Sequence, residues 1–138
     1  MKEDDEMVTL PLFGGCACGQ VRYRLDALPG DTGYCHCRTC QRCAAAPAVP
    51  WAMVPAQALH YLSGDVGIFR SSAHGERRFC RDCGTYLEYR EQGYAEIGLS
   101  SVTLDHPEWF PPQKHIWFAS RVPWFEPADD LPRFDQGE

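Results

Sequence analysis

The sequence predicts a mainly β fold, a small antiparallel sheet with one or two short helical turns, and three observations carry that prediction. Residues 20–25, QVRYRL, set Val21, Tyr23 and Leu25 against Gln20, Arg22 and Arg24, the two-residue period of a half-buried strand. Six further short runs rich in aromatic and β-branched residues recur along the chain, each bounded by Gly, Pro, Ser or Asp. Eleven prolines and twelve glycines leave little room for long helices.

In chain order, the start MKEDDEMVTLPL is acidic and polar, and residues 1–8 are expected to be flexible. QVRYRL is the first clear strand. Arg38 to Ala45 is the one helical piece, and it must end before Pro47, because a residue preceding proline avoids the helical region. LHYL (59–62), GIFR (67–70), RRFC (77–80), TYLEY (85–89), YAEIGL (94–99) and HIWFAS (115–120) are the other strands. No repeat or low-complexity linker divides them, so residues 1–138 are expected to form a single domain.

A chain of 138 residues buries a real core without obligatory disulfides. Its net charge of -6 and pI near 5.3 argue against nucleic acid or an anionic membrane as main partner, since phosphate binding relies on excess Lys and Arg. No run approaches the roughly 18 apolar residues of a membrane span, and no secretory apolar segment opens the chain. A cytoplasmic location is the expectation.

Eight cysteines then need a reason, because that compartment keeps thiols reduced. Metal binding is the reason that fits their spacing. Cys16-Ala-Cys18-Gly19 and Cys80-Arg-Asp-Cys83-Gly84 are two-sulfur clips, each followed by glycine; Gly84 can take the positive φ its turn needs, and an extended or tightly turned backbone puts Cys16 and Cys18 on one side. Together they supply the four sulfurs of a closed tetrahedral zinc site, which would tie the N-terminal strand to the middle of the chain. The third group, YCHCRTCQRC at 34–43, brings Cys35, Cys37 and Cys40 from a strand end into a first helical turn, where all three can aim at one point. Three ligands leave one zinc position open, as a catalytic zinc requires, and three thiolates suit that position to a soft ligand such as a substrate sulfur. Two alternatives stand beside this partition. Cys35 and Cys37 can pair with Cys80 and Cys83, and Cys43, three residues beyond Cys40, can close the second site; a free Cys43 thiol is the expectation, since it lies a turn further along the helix.

The blocks GGCACGQVRY (14–23), CHCRTCQR (35–42), AP (46–47), FCRDCGTYL (79–87) and HIWFASRVPWFEPADDLPRF (115–134), taken as an ordered set, resemble the glutathione-dependent formaldehyde-activating enzyme family, which includes the centromere protein V group. That resemblance implies a β-rich, tent-like zinc-binding domain with two Zn2+ per chain. It implies structural zinc on Cys16, Cys18, Cys80 and Cys83 and catalytic zinc on Cys35, Cys37 and Cys40. It also implies a carbon-sulfur lyase that joins glutathione and formaldehyde as S-(hydroxymethyl)glutathione, with a small-molecule thiol and an aldehyde as partners. The competing reading is a non-catalytic zinc-stabilised binding module with a closed second site.

Further candidates are weaker. Gln41 and Arg42 follow the last ligand on the helical turn and are expected to bind a substrate carboxylate, with solvated surface as the bland alternative. Trp51 is expected to line the pocket, against plain core packing. His36, between two ligands on a strand, should point away from the metal as a structural histidine. Of Arg77 and Arg78, both basic enough for anion binding, one should face water.

Overall fold

The computed structural model describes residues 8–137, so the expected flexibility of residues 1–8 falls almost wholly outside the described residues. Among these described residues, ten strands form two sheets. The smaller sheet orders β1 (Leu12–Gly15), β2 (Arg22–Leu25) and β5 (Leu59–Ser63), all antiparallel. The larger runs β10 (His115–Ile116), β3 (Thr32–Cys35), β4 (Val49–Pro55), β9 (Glu96–Ser100), β8 (Tyr86–Glu91), β7 (Gly75–Cys80) and β6 (Val66–Arg70). Among the described strands, β10 alone pairs in parallel, with β3. The fold is mainly β, as expected, with a single α-helix, α1 (Arg38–Ala44), among the described residues. Among the described residues no helix is long and apolar enough to cross a membrane.

Alternation explains the sandwich. Tyr23 and Leu25 of β2 point inward and are fully buried, as is Val21 just before them, while Arg22 and Arg24 reach the surface. With Leu12 and Leu59 they face Val54, Ile97 and Leu99 of the larger sheet across the main core. A buried polar tie crosses the same gap: the fully buried Glu88 of β8 accepts from the Tyr61 hydroxyl of β5 at 2.6 Å and from the Arg90 guanidinium. Its charge is paired and hydrogen-bonded, the condition under which a carboxylate is tolerated inside.

Two smaller cores hold the cysteines. Val21, Cys80 and Leu87 form one, with Cys16 against it; Cys35, Cys40 and Val49 form the other, with Cys37, Trp51, Tyr86 and Ile116 against it. The helix between them is short because its ends are fixed by local chemistry. The Cys37 sulfur caps its N-terminus by accepting from the Cys40 N–H at 3.3 Å, and Ala45 leaves it in the left-handed region at φ 54°.

HIWFAS only begins as the expected strand. After His115 and Ile116, Trp117 turns left-handed at φ 54° and a 3-10 turn follows over 118–120. The segment after it returns alongside β10, with His115 N–H donating to the Pro132 carbonyl and Phe134 N–H to the His115 carbonyl, both at 2.9 Å.

Candidate functional site

Cys16 and Cys18 leave the end of β1, and Cys80 and Cys83 span the turn after β7. The four sulfurs lie within 4.8 Å of one another, with Cys16 to Cys18 at 3.5 Å and Cys18 to Cys80 at 3.9 Å. Sulfurs bound to one tetrahedral zinc sit about 3.8 Å apart, given a Zn–S bond of roughly 2.3 Å, so the donor set fits that ion. Gly19 and Gly84 take φ of 83° and 82°, which lets each clip turn back on itself. Backbone N–H groups point at the sulfurs, Val21 at Cys16 (3.2 Å) and Cys83 at Cys80 (3.4 Å), and favour thiolate over thiol. Hydrogen bonds from Thr85, first through its hydroxyl, hold the Cys83 thiol down to about 5. This cluster is closed by four sulfurs and joins the two sheets.

The second cluster is built differently. Cys35 ends β3, Cys37 caps α1 and Cys40 lies in its first turn; the three sulfurs also lie within 4.8 Å of one another. Cys35 and Cys40 are buried, and Cys43 is not in the group. Hydrogen bonds from Cys35 and then Cys40 hold the Cys37 thiol far below its ordinary range, and the same sharing pushes Cys35 far up. A cation stands against the cluster. Arg77 of β7, 7% exposed, donates from Nη1 to Cys40 Sγ at 3.1 Å and to the Tyr86 hydroxyl at 3.3 Å, while its plane lies 4.4 Å from the centre of the Tyr89 ring. Burial works against its charge, but the Cys40 sulfur and the Tyr86 hydroxyl together outweigh burial and hold its pKa above the ordinary arginine value.

The three sulfurs form one end of a cavity of about 750 Å³, walled by β4, β7, β8 and β9 and by Trp117. That volume suits a small organic molecule.

The description "Glutathione-dependent formaldehyde-activating enzyme" fits residues 11–120 of this sequence. The chain belongs to that family. It is also similar to an uncharacterized lyase of Schizosaccharomyces pombe, at 28% identity over 101 residues, covering 67% of this chain and 73% of the relative. A crystal structure of a Rhodobacter sphaeroides protein shares the fold, with a TM-score of 0.59 at 19% identity, over 89% of this chain and 99% of that one. Membership supports thiol and aldehyde chemistry of the formaldehyde-activating type, and both cysteine clusters are able to bind metal ions.

Within this family member the remaining expected residues scatter. Trp51 lines the cavity, and its Nε1 is buried without a hydrogen-bond partner. Gln41 does not line it: the side chain is buried, its amide donating to the carbonyls of His36 (2.7 Å) and Ser120 (3.3 Å) while its oxygen accepts from Arg38. Its hydrogen-bonding groups hold the helix against the following segments, so the expectation of carboxylate binding is replaced by a structural role. Arg42 is exposed and outside the cavity, because a helix turning 100° per residue carries it off the Cys40 face. Arg78 pairs with Glu76 at 2.8 Å, which leaves Arg77 as the cavity's cation.

His36 is fully buried and turns away from the cavity, as its strand position suggested. Its Nε2 lies 2.9 Å from His115 Nδ1, and His115 Nε2 lies 3.0 Å from the Asp129 carboxylate. The Asp129 carboxylate accepts from His115 Nε2–H, and one proton is shared between His115 Nδ1 and His36 Nε2. Burial, and then the neighbouring His115, lower the His36 pKa to about 4, which keeps the ring neutral. Sequence reading missed this relay and the tyrosine wall of Tyr86 and Tyr89. The only signal for either was a concentration of aromatics, which a β core also shows.

Proposed function

We propose that the chain makes and breaks the carbon–sulfur bond between a thiol and an aldehyde, with S-(hydroxymethyl)glutathione as the reference product. One observation carries the reading: Cys35, Cys37 and Cys40 form a three-sulfur cluster, with no fourth ligand among the described residues, at the end of a cavity. Cys16, Cys18, Cys80 and Cys83 are proposed to hold a structural zinc, and the three-sulfur cluster the catalytic one. When bound there, zinc supplies a Lewis acid with one exchangeable position suited to a substrate sulfur or oxygen.

In the forward direction the thiol sulfur bonds to the carbonyl carbon, the carbonyl π pair moves to oxygen, and the proton lost from sulfur ends on that oxygen. The reverse reaction releases thiol and aldehyde. Three thiolates repel a fourth anionic sulfur, and the Arg77 cation beside Cys40 offsets one of their charges, an effect strengthened by its burial. Tyr86 and Tyr89 hold that guanidinium in place. Trp51 adds its indole ring to the cavity wall. Enclosure by the strands brings carbon and sulfur together and makes an encounter between two molecules a local event.

Magnetisation-exchange NMR tests the reading, using formaldehyde with glutathione and, separately, with 2-mercaptoethanol, a thiol too small to depend on the walls. The expected result is faster exchange between free and adduct carbon with the intact protein than with Cys40→Ser, at equal concentration and unchanged fold. Equal rates for the two proteins with both thiols would overturn the enzyme reading in favour of a metal-stabilised binding module.

A further inference from the structure

The walls of the cavity carry information about the thiol's body that the sulfurs do not. Among the described residues lining it, Arg77 is the one Arg or Lys, and its guanidinium is already directed at Cys40, Tyr86 and Ser71, the last at 3.3 Å from Nε. The lining carboxylates are Glu91, at the end of β8, and Glu96, at the start of β9; both are exposed, and Glu91 accepts from the Tyr89 hydroxyl at 3.0 Å. Tyr86, which contacts Arg77, stands five residues before Glu91 on one strand, about 16 Å at a rise of roughly 3.3 Å per residue. The cavity is thus polarised, with sulfurs and a committed cation at one end and carboxylates at the other.

Between those ends lies Gly98. It sits in the middle of β9, paired with Met53 on one side and Tyr89 on the other, and all three line the cavity. Its backbone does not call for glycine, since its φ is not in the left-handed region, and a Cβ built there meets nothing within 4 Å. An interior glycine weakens a strand, and a reason for one is close approach of another molecule to the backbone. Here it leaves a flat stretch of peptide open to the cavity, while the ring of its strand neighbour Tyr89 leans away over Gly75 and the Arg77 guanidinium.

Resting on the thiol–aldehyde reading above, we infer that the cavity selects a thiol whose body is aromatic or alkyl, packed over Gly98, and whose far end is neutral or cationic. A thiol anchored by carboxylates finds no uncommitted cation in the walls and meets Glu91 and Glu96. Cationic ends gain from those carboxylates and from the faces of nearby tyrosines.

The test is binding, read from the sulfur-to-metal absorption of the cobalt-substituted protein. The probes are 2-mercaptoethanol, glutathione, phenylmethanethiol, and two phenylmethanethiols bearing either a 4-aminomethyl or a 4-carboxylate group. The aminomethyl probe is expected to bind at least tenfold more tightly than the carboxylate probe and than glutathione, with phenylmethanethiol between. Gly98→Leu should weaken the aromatic probes at least tenfold and leave 2-mercaptoethanol within about twofold, with the cobalt spectrum before thiol unchanged. The Glu91→Gln/Glu96→Gln double variant should remove most of the ammonium preference. Glutathione binding as tightly as the aminomethyl probe, or Gly98→Leu weakening all thiols equally, would overturn the inference while leaving the thiol–aldehyde reading intact. If no thiol, 2-mercaptoethanol included, alters the spectrum, the reading of the three-sulfur cluster falls, and the inference with it.

Discussion

The two cysteine clusters are made from the same side chain and differ in almost everything else. The four-sulfur cluster lies near the surface, with Cys18 and Cys83 exposed, and takes its ligands from turns far apart in sequence. The three-sulfur cluster lies deeper, takes all its ligands within six residues, and faces a cavity with an arginine against one sulfur. Ligand count and neighbouring charge, not ligand type, separate a cluster that joins chain segments from one that is able to admit a substrate. Among the described residues no guanidinium donates to an outer-cluster sulfur as Arg77 does to Cys40.

Substituting one ligand in each cluster gives the sharpest contrast. Cys83→Ser should unfold most of the protein, because a structural zinc site contributes on the order of 10 kcal/mol, comparable to a whole domain's stability of about 5–15 kcal/mol. Cys40→Ser should remain folded and lose metal from the inner cluster alone. Circular dichroism with elemental analysis reads both, and a folded Cys83→Ser protein with full metal content would break the contrast.

Arg77→Gln probes the difference in charge. Removing a partner of a metal ligand typically costs about 10–100-fold in metal affinity or activity. The inner cluster of the variant should bind cobalt and thiols more weakly by a factor in that range, while the outer cluster keeps its spectrum. Equal weakening at both clusters would show a general loss of packing.

A smaller effect lies beside the outer cluster. Arg22, adjacent to Cys16 through the Gly15 pairing, makes paired hydrogen bonds to Asp105 at 2.7 and 3.0 Å, with both side chains about two-fifths exposed. Those bonds, opposed by burial, hold the Asp105 carboxyl below its usual range. A carboxyl lowered in the folded state contributes stability above its unfolded pKa, and loses it as pH falls through the folded value. Asp105→Asn should therefore cost about 0.5–1 kcal/mol at neutral pH, screened as an exposed pair is. The gap between the two proteins in urea titrations should narrow on acidification below the ordinary carboxylate range. The smallest effect is expected of Cys43→Ser, which should keep both metals; loss of metal from the inner cluster would mean that the cluster has a fourth ligand.

The partition of the cysteines was legible because each clip is local. Two or three residues separate the sulfurs, and the turn that brings them together is written in Gly19, Gly84 and the helix start at Arg38. The strand QVRYRL was legible for the same reason, one face being buried and the other wet. β4 was not, because Pro50 and Pro55 bracket it and every residue between them is apolar, so no two-residue period appears. The cavity lay further out of reach. Arg77 is brought to Cys40 across 37 positions by strand order, and Gln41 and Arg42 are carried away from the site by helical rotation that sequence proximity conceals.

The link from His36 through His115 to Asp129 has a consequence for the order in which the protein is completed. Proteins are made from the N-terminus at roughly 5–20 residues per second, and parts fold as they emerge. All four sulfurs of the outer cluster exist once residue 83 has emerged, and Cys35, Cys37 and Cys40 exist well before that. The strand that carries Cys35 nevertheless gains its outer neighbour, β10, only at residues 115–116, and its histidine relay only at residue 129. The inner sulfurs are thus synthesised early and buttressed late, so a nascent chain that has emerged only as far as residues 90 to 115 would carry all four outer sulfurs beside an inner cluster still without support on its far side.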